Sequence, residues 1–165
     1  MAEPAHVGVL DQKVRWLTAG EMASWRSLVK LMIWLPWSIE QQLRRDSNLA
    51  LIEYQVLVVL SDSPNRTARM SYLAEDTNAS LSHLSHVVKR LENRGLVYRE
   101  ADPTDGRVTN AVLTDDGYQT LVAAAPGHVA HVRSVVVDVL TPEQLRRLGR
   151  GAERIVARID PPAVS

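Results

Sequence analysis

The sequence predicts a mainly α fold with a small β-hairpin wing, a winged helix-turn-helix flanked by long dimerisation helices. Three observations carry this. Leu73, Ala74, Asn78, Leu84 and Val87 fall at positions 4, 5, 9, 15 and 18 counted from Met70, where two short crossing helices need apolar, small or turn-forming residues. Next, two stretches of strand character, 96–101 and 108–113, are joined by Asp102-Pro103-Thr104-Asp105-Gly106-Arg107, which reads as a hairpin with a protruding tip. Finally, apolar residues recur at helical spacing on both sides of this centre.

The elements follow in order. Thr18 with Glu21 has the form of a capping box and opens a helix carrying Trp25, Leu28, Val29, Met32, Leu35, Ile39 and Leu43. Pro36 should kink that helix and not end it, because the apolar pattern resumes beyond it. Asp46, Ser47 and Asn48 supply the break. A second helix is expected over 51–60, then a loop over 61–68 containing Pro64 and Asn65. Ser71 is expected to cap the first helix of the central pair and Ser80 the second, which runs to Arg94 and stops at Gly95. Ala74 is small where the helices cross, and Asn78 tolerates the left-handed turn. Thr77 is the poor fit, standing where an apolar residue is usual. After the hairpin, Thr114 with Asp115 and Asp116 caps a segment bearing Tyr118, Leu121, Val122, Ala125, Val129, Val132, Val136 and Val139, with a bend at Pro126 and Gly127. Thr141 and Pro142 start a last helix with Leu145, Leu148, Ala152, Ile155, Val156 and Ile159 on one face, ended by Pro161 and Pro162.

Composition removes several function classes. The 165 residues, 45% apolar, suffice for a core. Cysteine is absent, so disulfides, thiolate metal sites and thiol switches are excluded. The longest apolar candidate, 28–39, is interrupted by Lys30 and Pro36, so no membrane span is expected, and residues 1–11 lack signal-peptide order. A cytoplasmic protein is the expectation. No glycine-rich phosphate loop, serine elbow or HExxH motif is present, and the alternation Ser82-His83-Leu84-Ser85-His86 lacks an orienting acid, which argues against an enzyme. No cofactor is implied. Net charge is zero, yet 80–99 holds Lys89, Arg90, Arg94 and Arg99 against the single Glu92, a local +3.

The organisation expected is a tail over 1–15, an N-terminal dimerisation helix over 16–47, a reading module over 48–113, C-terminal dimerisation helices over 114–160 and a tail over 161–165. Terminal helices with apolar stripes cannot bury them on so small a centre, so a twofold homodimer is expected. A helix docked in the major groove presents its first turns to base edges, making Ser82, His83, Ser85 and His86 the candidate readers, with Ser80 on a phosphate. The alternative is that the two histidines are merely solvated. Lys89, Arg90 and Arg99, with Arg94, either touch phosphates or ion-pair locally.

The runs Arg69-Met70-Ser71-Tyr72-Leu73-Ala74-Glu75, Leu91-Glu92-Asn93-Arg94-Gly95-Leu96-Val97 and Asp102-Pro103-Thr104-Asp105-Gly106-Arg107, followed by Leu113-Thr114-Asp115-Asp116-Gly117, resemble the MarR family of bacterial winged-helix regulators. Trp16-Leu17-Thr18, Asp46-Ser47-Asn48-Leu49 and Leu140-Thr141-Pro142-Glu143-Gln144-Leu145 resemble an actinobacterial subgroup. The resemblance covers roughly 16–159. It implies a dimer on an inverted-repeat operator, a repressor more than an activator, and release by a small aromatic or anionic effector. An activator or effector-independent regulator, or a winged protein-interaction module that binds no DNA, is the alternative. Arg107 then matches the family's wing arginine, entering the minor groove with Asp105 orienting it; otherwise the pair only stiffens a turn. Leu81 and Gly106 depart from the family pattern where basic or polar residues are common, each losing a phosphate contact. Trp25, Trp34, Trp37 and Tyr54 either line an aromatic effector pocket or belong to core and dimer interface. His128 and His131 have a chelating spacing but no evident third ligand, so no metal is expected.

Overall fold

A computed structural model describes residues 14–159 of the chain. It divides into two compact units, 1–36 and 37–165. The tails expected at 1–15 and 161–165 lie almost wholly outside the described residues. Within the first unit, Thr18 and Glu21 form the expected capping box: the Thr18 N–H donates to Glu21 Oε2 at 2.8 Å and the Glu21 N–H to Thr18 Oγ1 at 3.3 Å. Helix α1 (Ala19–Ser47) starts there and runs through Pro36 into the second unit. Asn48, at φ 51°, ends it with a left-handed residue.

In the second unit, α2 (Leu51–Asp62), α3 (Met70–Asp76) and α4 (Leu81–Asn93) pack with a three-stranded antiparallel sheet in the order β1 (Thr67–Arg69), β3 (Thr109–Leu113), β2 (Val97–Ala101). Strand β1 corrects the expected 61–68 loop. It is three residues long, pairing Thr67 with Val112 and Arg69 with Asn110, too short to show alternation. A 3₁₀ turn at Pro64–Arg66 leads into it, with Asn65 and Arg66 both left-handed. Arg66 is held there from a distant element, its guanidinium 4.1 Å over the Tyr118 ring and 2.9 Å from Asp115.

The helix pair forms as its residue types require. Leu73, Ala74, Leu84 and Val87 are fully buried in the main core with Leu57, Leu60, Val88 and Leu91, and Asn78 turns the chain at φ 50°. Thr77 resolves its misfit by donating its hydroxyl to the Leu73 carbonyl at 2.6 Å, so no polar group is stranded beside the core. Ser71 does not cap α3; Arg69 occupies the cap position and Ser71 lies inside the helix, because β1 runs directly into the helix without an intervening turn.

Helix α5 (Asp115–Val132) is capped by Thr114, whose Oγ1 accepts the Gly117 N–H at 2.9 Å. It passes through Pro126 and Gly127 as helix, and the departure from α geometry comes later, in a π turn at Arg133–Val137. Helix α6 (Pro142–Val156) carries the Thr141–Gln144 capping box and stops before the two prolines, which lie outside the described residues. Two faces stay uncovered. Leu148, Ile155 and Val156 of α6 are exposed, as are Val122 and Val129 of α5. The stretch Asp115–Val137 is long and apolar enough to cross a membrane by length and composition, with 11% of its most apolar window buried. That corrects the expectation that no segment of the chain qualifies; the physical reason is that residues 117–132 carry no Asp, Glu, Lys or Arg and the helical stretch continues through the π turn to Val137.

Candidate nucleic-acid interface

Helix α4 begins at Ser80, whose Oγ accepts the His83 N–H at 3.2 Å, so this side chain serves first as a cap. Leu84, Val87, Val88 and Leu91 face the core. The opposite face is left to Ser82, His83, His86 and Lys89, all exposed, with Ser85 half-buried beside them. Helical periodicity therefore separates the candidate readers from the packing residues along a single helix.

The basic residues divide differently from the sequence arithmetic. Arg90 donates from Nε to Glu53 Oε1 at 2.9 Å, and Arg94 lies 3.5 Å from Glu53 Oε2 while donating to the Asn48 carbonyl at 3.0 Å. Glu53 is a buried carboxylate of α2 that also accepts the Ala50 N–H at 2.9 Å. These donors satisfy a buried acceptor that would be costly to leave unpaired. Arg90 thus ties α4 to α2, and part of the local positive charge is matched by an acid 37 residues away.

Arg99, on β2, is gripped by Glu92: Nε and Nη2 donate to Oε2 at 3.2 and 2.7 Å, and the backbone N–H to Oε1 at 3.2 Å. The guanidinium beside it holds the Glu92 carboxyl below the usual carboxylate range. At the wing tip, Arg107 donates from Nε to Asp105 Oδ1 at 3.1 Å and from Nη2 to Oδ2 at 3.3 Å, with its backbone N–H also on Oδ1 at 3.1 Å. The Arg107 side chain is 92% exposed, so Asp105 fixes its direction without covering it.

Asp102 organises the wing beneath that tip. Its Oδ1 accepts the Thr104 N–H at 2.9 Å and the Thr104 hydroxyl at 2.6 Å, while Oδ2 accepts from Asn110 at 3.3 Å and faces Arg69 at 3.5 Å. Those donors hold the carboxyl far below its ordinary range, the Thr104 hydroxyl foremost. In the sequence Asp102 and Arg69 stand out only as members of motif runs, and Glu53 does not stand out at all. The Asp-x-Thr spacing was an available signal, since it is the form of an Asx turn; nothing local indicated Arg69 or Glu53, whose partners are far along the chain.

Between α4 and the wing lies an open groove of about 360 Å³ lined by Met70, Ser71, Leu81, Ser85, Arg99, Arg107, Val108 and Thr109. The proposed effector residues lie elsewhere. Trp25, Trp34 and Trp37 are each about half-exposed, whereas Tyr54 is buried with its ring 4.6 Å from that of His128. Burial lowers the His128 pKa. His131 turns instead to the Ser38 hydroxyl at 2.9 Å, so the two histidines do not converge. Among the described residues, no group of three or more His, Cys, Asp or Glu is placed to hold a metal ion.

Residues 47–108 match the MarR family model. The chain is 43% identical to Sco3205, a MarR family regulator from Streptomyces coelicolor crystallised in complex with DNA, covering 90% of this chain and 94% of that one at a TM-score of 0.86. It is 39% identical to AbsC, a MarR family regulator from the same organism, over 88% and 98% of the two chains at a TM-score of 0.84. YxaD of Bacillus subtilis strain 168, described as an uncharacterized HTH-type transcriptional regulator, is 36% identical over 106 residues, 64% of this chain and 73% of that protein. With the helix pair, wing and capped α4 in the places these likenesses require, the chain belongs to the MarR family of winged helix-turn-helix, DNA-binding transcriptional regulators.

Proposed function

We propose that the protein binds an inverted-repeat operator as a twofold homodimer in the cytoplasm and represses transcription there. Each α4 enters a major groove, with Ser82, His83, Ser85 and His86 facing base edges and Ser80 and Lys89 near phosphates, while Arg107 enters the adjoining minor groove. The observation that carries this reading is the pairing of an exposed polar face at the start of α4 with an arginine held outward by Asp105. The DNA complex of the relative Sco3205 supports it.

Residues 48–113 act as the reader, and the helices in 16–47 and 114–160 supply the pairing surface. Support for pairing comes from the apolar residues α5 and α6 leave uncovered. A second copy suits the 115–137 stretch better than lipid, since a DNA-reading module must stay beside its duplex. Response to a small aromatic or anionic effector completes the reading, in line with the family resemblance, and Trp25 and Trp34 are residues suited to stack on such a molecule.

A gel-shift titration on an operator obtained by in vitro selection tests the proposal. A palindromic site bound at two chains per duplex, in preference to random DNA and with strong salt dependence, is expected. Equal affinity for random DNA would overturn it. Benzoate, as a minimal aromatic anion, should quench tryptophan fluorescence and weaken the shift; a panel of aromatic carboxylates without effect would remove the effector part alone.

A further inference from the structure

The groove between α4 and the wing has walls of two kinds: Leu81 and Val108 are apolar, whereas Ser71, Ser85, Thr109 and Arg99 bring hydroxyls and a cation. A nucleic-acid strand has the same duality, an apolar sugar face next to an anionic phosphodiester. If α4 occupies a major groove and Arg107 the neighbouring minor groove, the strand dividing those grooves must pass between the two elements. We propose that this groove seats one deoxyribose–phosphate unit of that strand, with the phosphodiester held by Arg99 and the Ser71 and Thr109 hydroxyls and the sugar against Leu81 and Val108. This rests on the DNA-binding mode proposed above and adds a backbone seat between the base-reading face and the wing tip, bordered by Ser85 and Arg107.

The state of Arg99 supports the assignment. Its bonds to Glu92 use Nε, Nη2 and the backbone N–H, and none uses Nη1. A guanidinium with five donors is able to bridge a carboxylate on one edge and a phosphate on another. Because Glu92 already fixes the side chain, which is 32% exposed, little rotamer freedom is left to lose on binding. Leu81, a departure from the family pattern as a phosphate ligand, is suited in this setting to the sugar.

Single methylphosphonate substitutions, each neutralising one phosphate of the selected operator, test the seat with the full chain. At one symmetry-related pair of positions between the major- and minor-groove contacts, the wild type should lose about fivefold to tenfold in affinity. Arg99→Gln should bind the unmodified duplex weaker by the same factor, show a salt slope lower by about one, and be indifferent to that substitution. Thr109→Val and Ser71→Ala, which leave the Arg99–Glu92 pair intact, should reduce sensitivity at the same position. Full sensitivity there in all three variants overturns the seat while the binding mode stands. Absence of any operator preference in the wild type sinks the binding mode itself.

Discussion

At the wing, Arg107 is the proposed contact and Asp102 the support of the turn. Arg107 is almost fully exposed and paired only to a neighbour two residues away, so its removal costs the fold little. Arg107→Ala should weaken operator binding about tenfold or more in a gel shift with an unchanged melting temperature; unchanged affinity would rule out the minor-groove contact. Asp102 acts in the opposite manner, since its carboxylate is tied to Thr104, Asn110 and Arg69. Its pKa is depressed in the fold, so its contribution is fully present above the ordinary carboxylate value of about 4 and fades as pH falls below it through the lowered folded value. The amide resonances of Thr104 and Asp105, whose N–H groups point at Asp102, should therefore hold constant from neutral pH to about 4.5. Drift within that window would show that the carboxylate does not set the turn.

Elements are joined by a few residues whose replacement should act far from the DNA. At Gly117 a Cβ would run into the Leu96 carbonyl and the Leu113 side chain, because α5 begins hard against the end of the hairpin. Gly117→Ala should cost about 1–3 kcal/mol in denaturant unfolding, as overpacking commonly does; a neutral result would mean the start of α5 yields readily. Glu53 joins α2 to α4 through Arg90 and Arg94. Glu53→Ala should destabilise by about 2 kcal/mol, below the loss for a fully buried pair because both arginines keep contact with water. It should also weaken operator binding with every base of the site unchanged in rank, since Glu53 sets the seat of α4 and reads nothing.

At the scale of the whole molecule, the exposed apolar residues of α5 and α6 are the surface that the proposed pairing would bury. Leu148 and Ile155 are exposed, at 41% and 47%, although they lie on the apolar face of a helix opened by a capping box. Leu148→Asp combined with Ile155→Asp should halve the mass in light scattering and reduce operator affinity steeply, since each half-site would then be bound alone. A variant that stays dimeric would place the interface on other residues.

What the sequence determined by itself was whatever depends on short-range pattern. The capping box at Thr18, the helix start at Thr141 and Pro142, the left-handed Asn78, the passage of α1 through Pro36 and the exposed polar face of α4 all follow from residues within one or two turns of each other. Strand β1, the pairing of Glu53 with Arg90, and the Arg69–Asp102 contact were decided only in three dimensions. Each joins residues brought together by chain reversal, and no local periodicity records which distant group will neutralise a charge or pair a three-residue strand. The reading helix was legible because its amphipathic period is its own, whereas the groove beside it exists only once α3, α4 and the hairpin have packed.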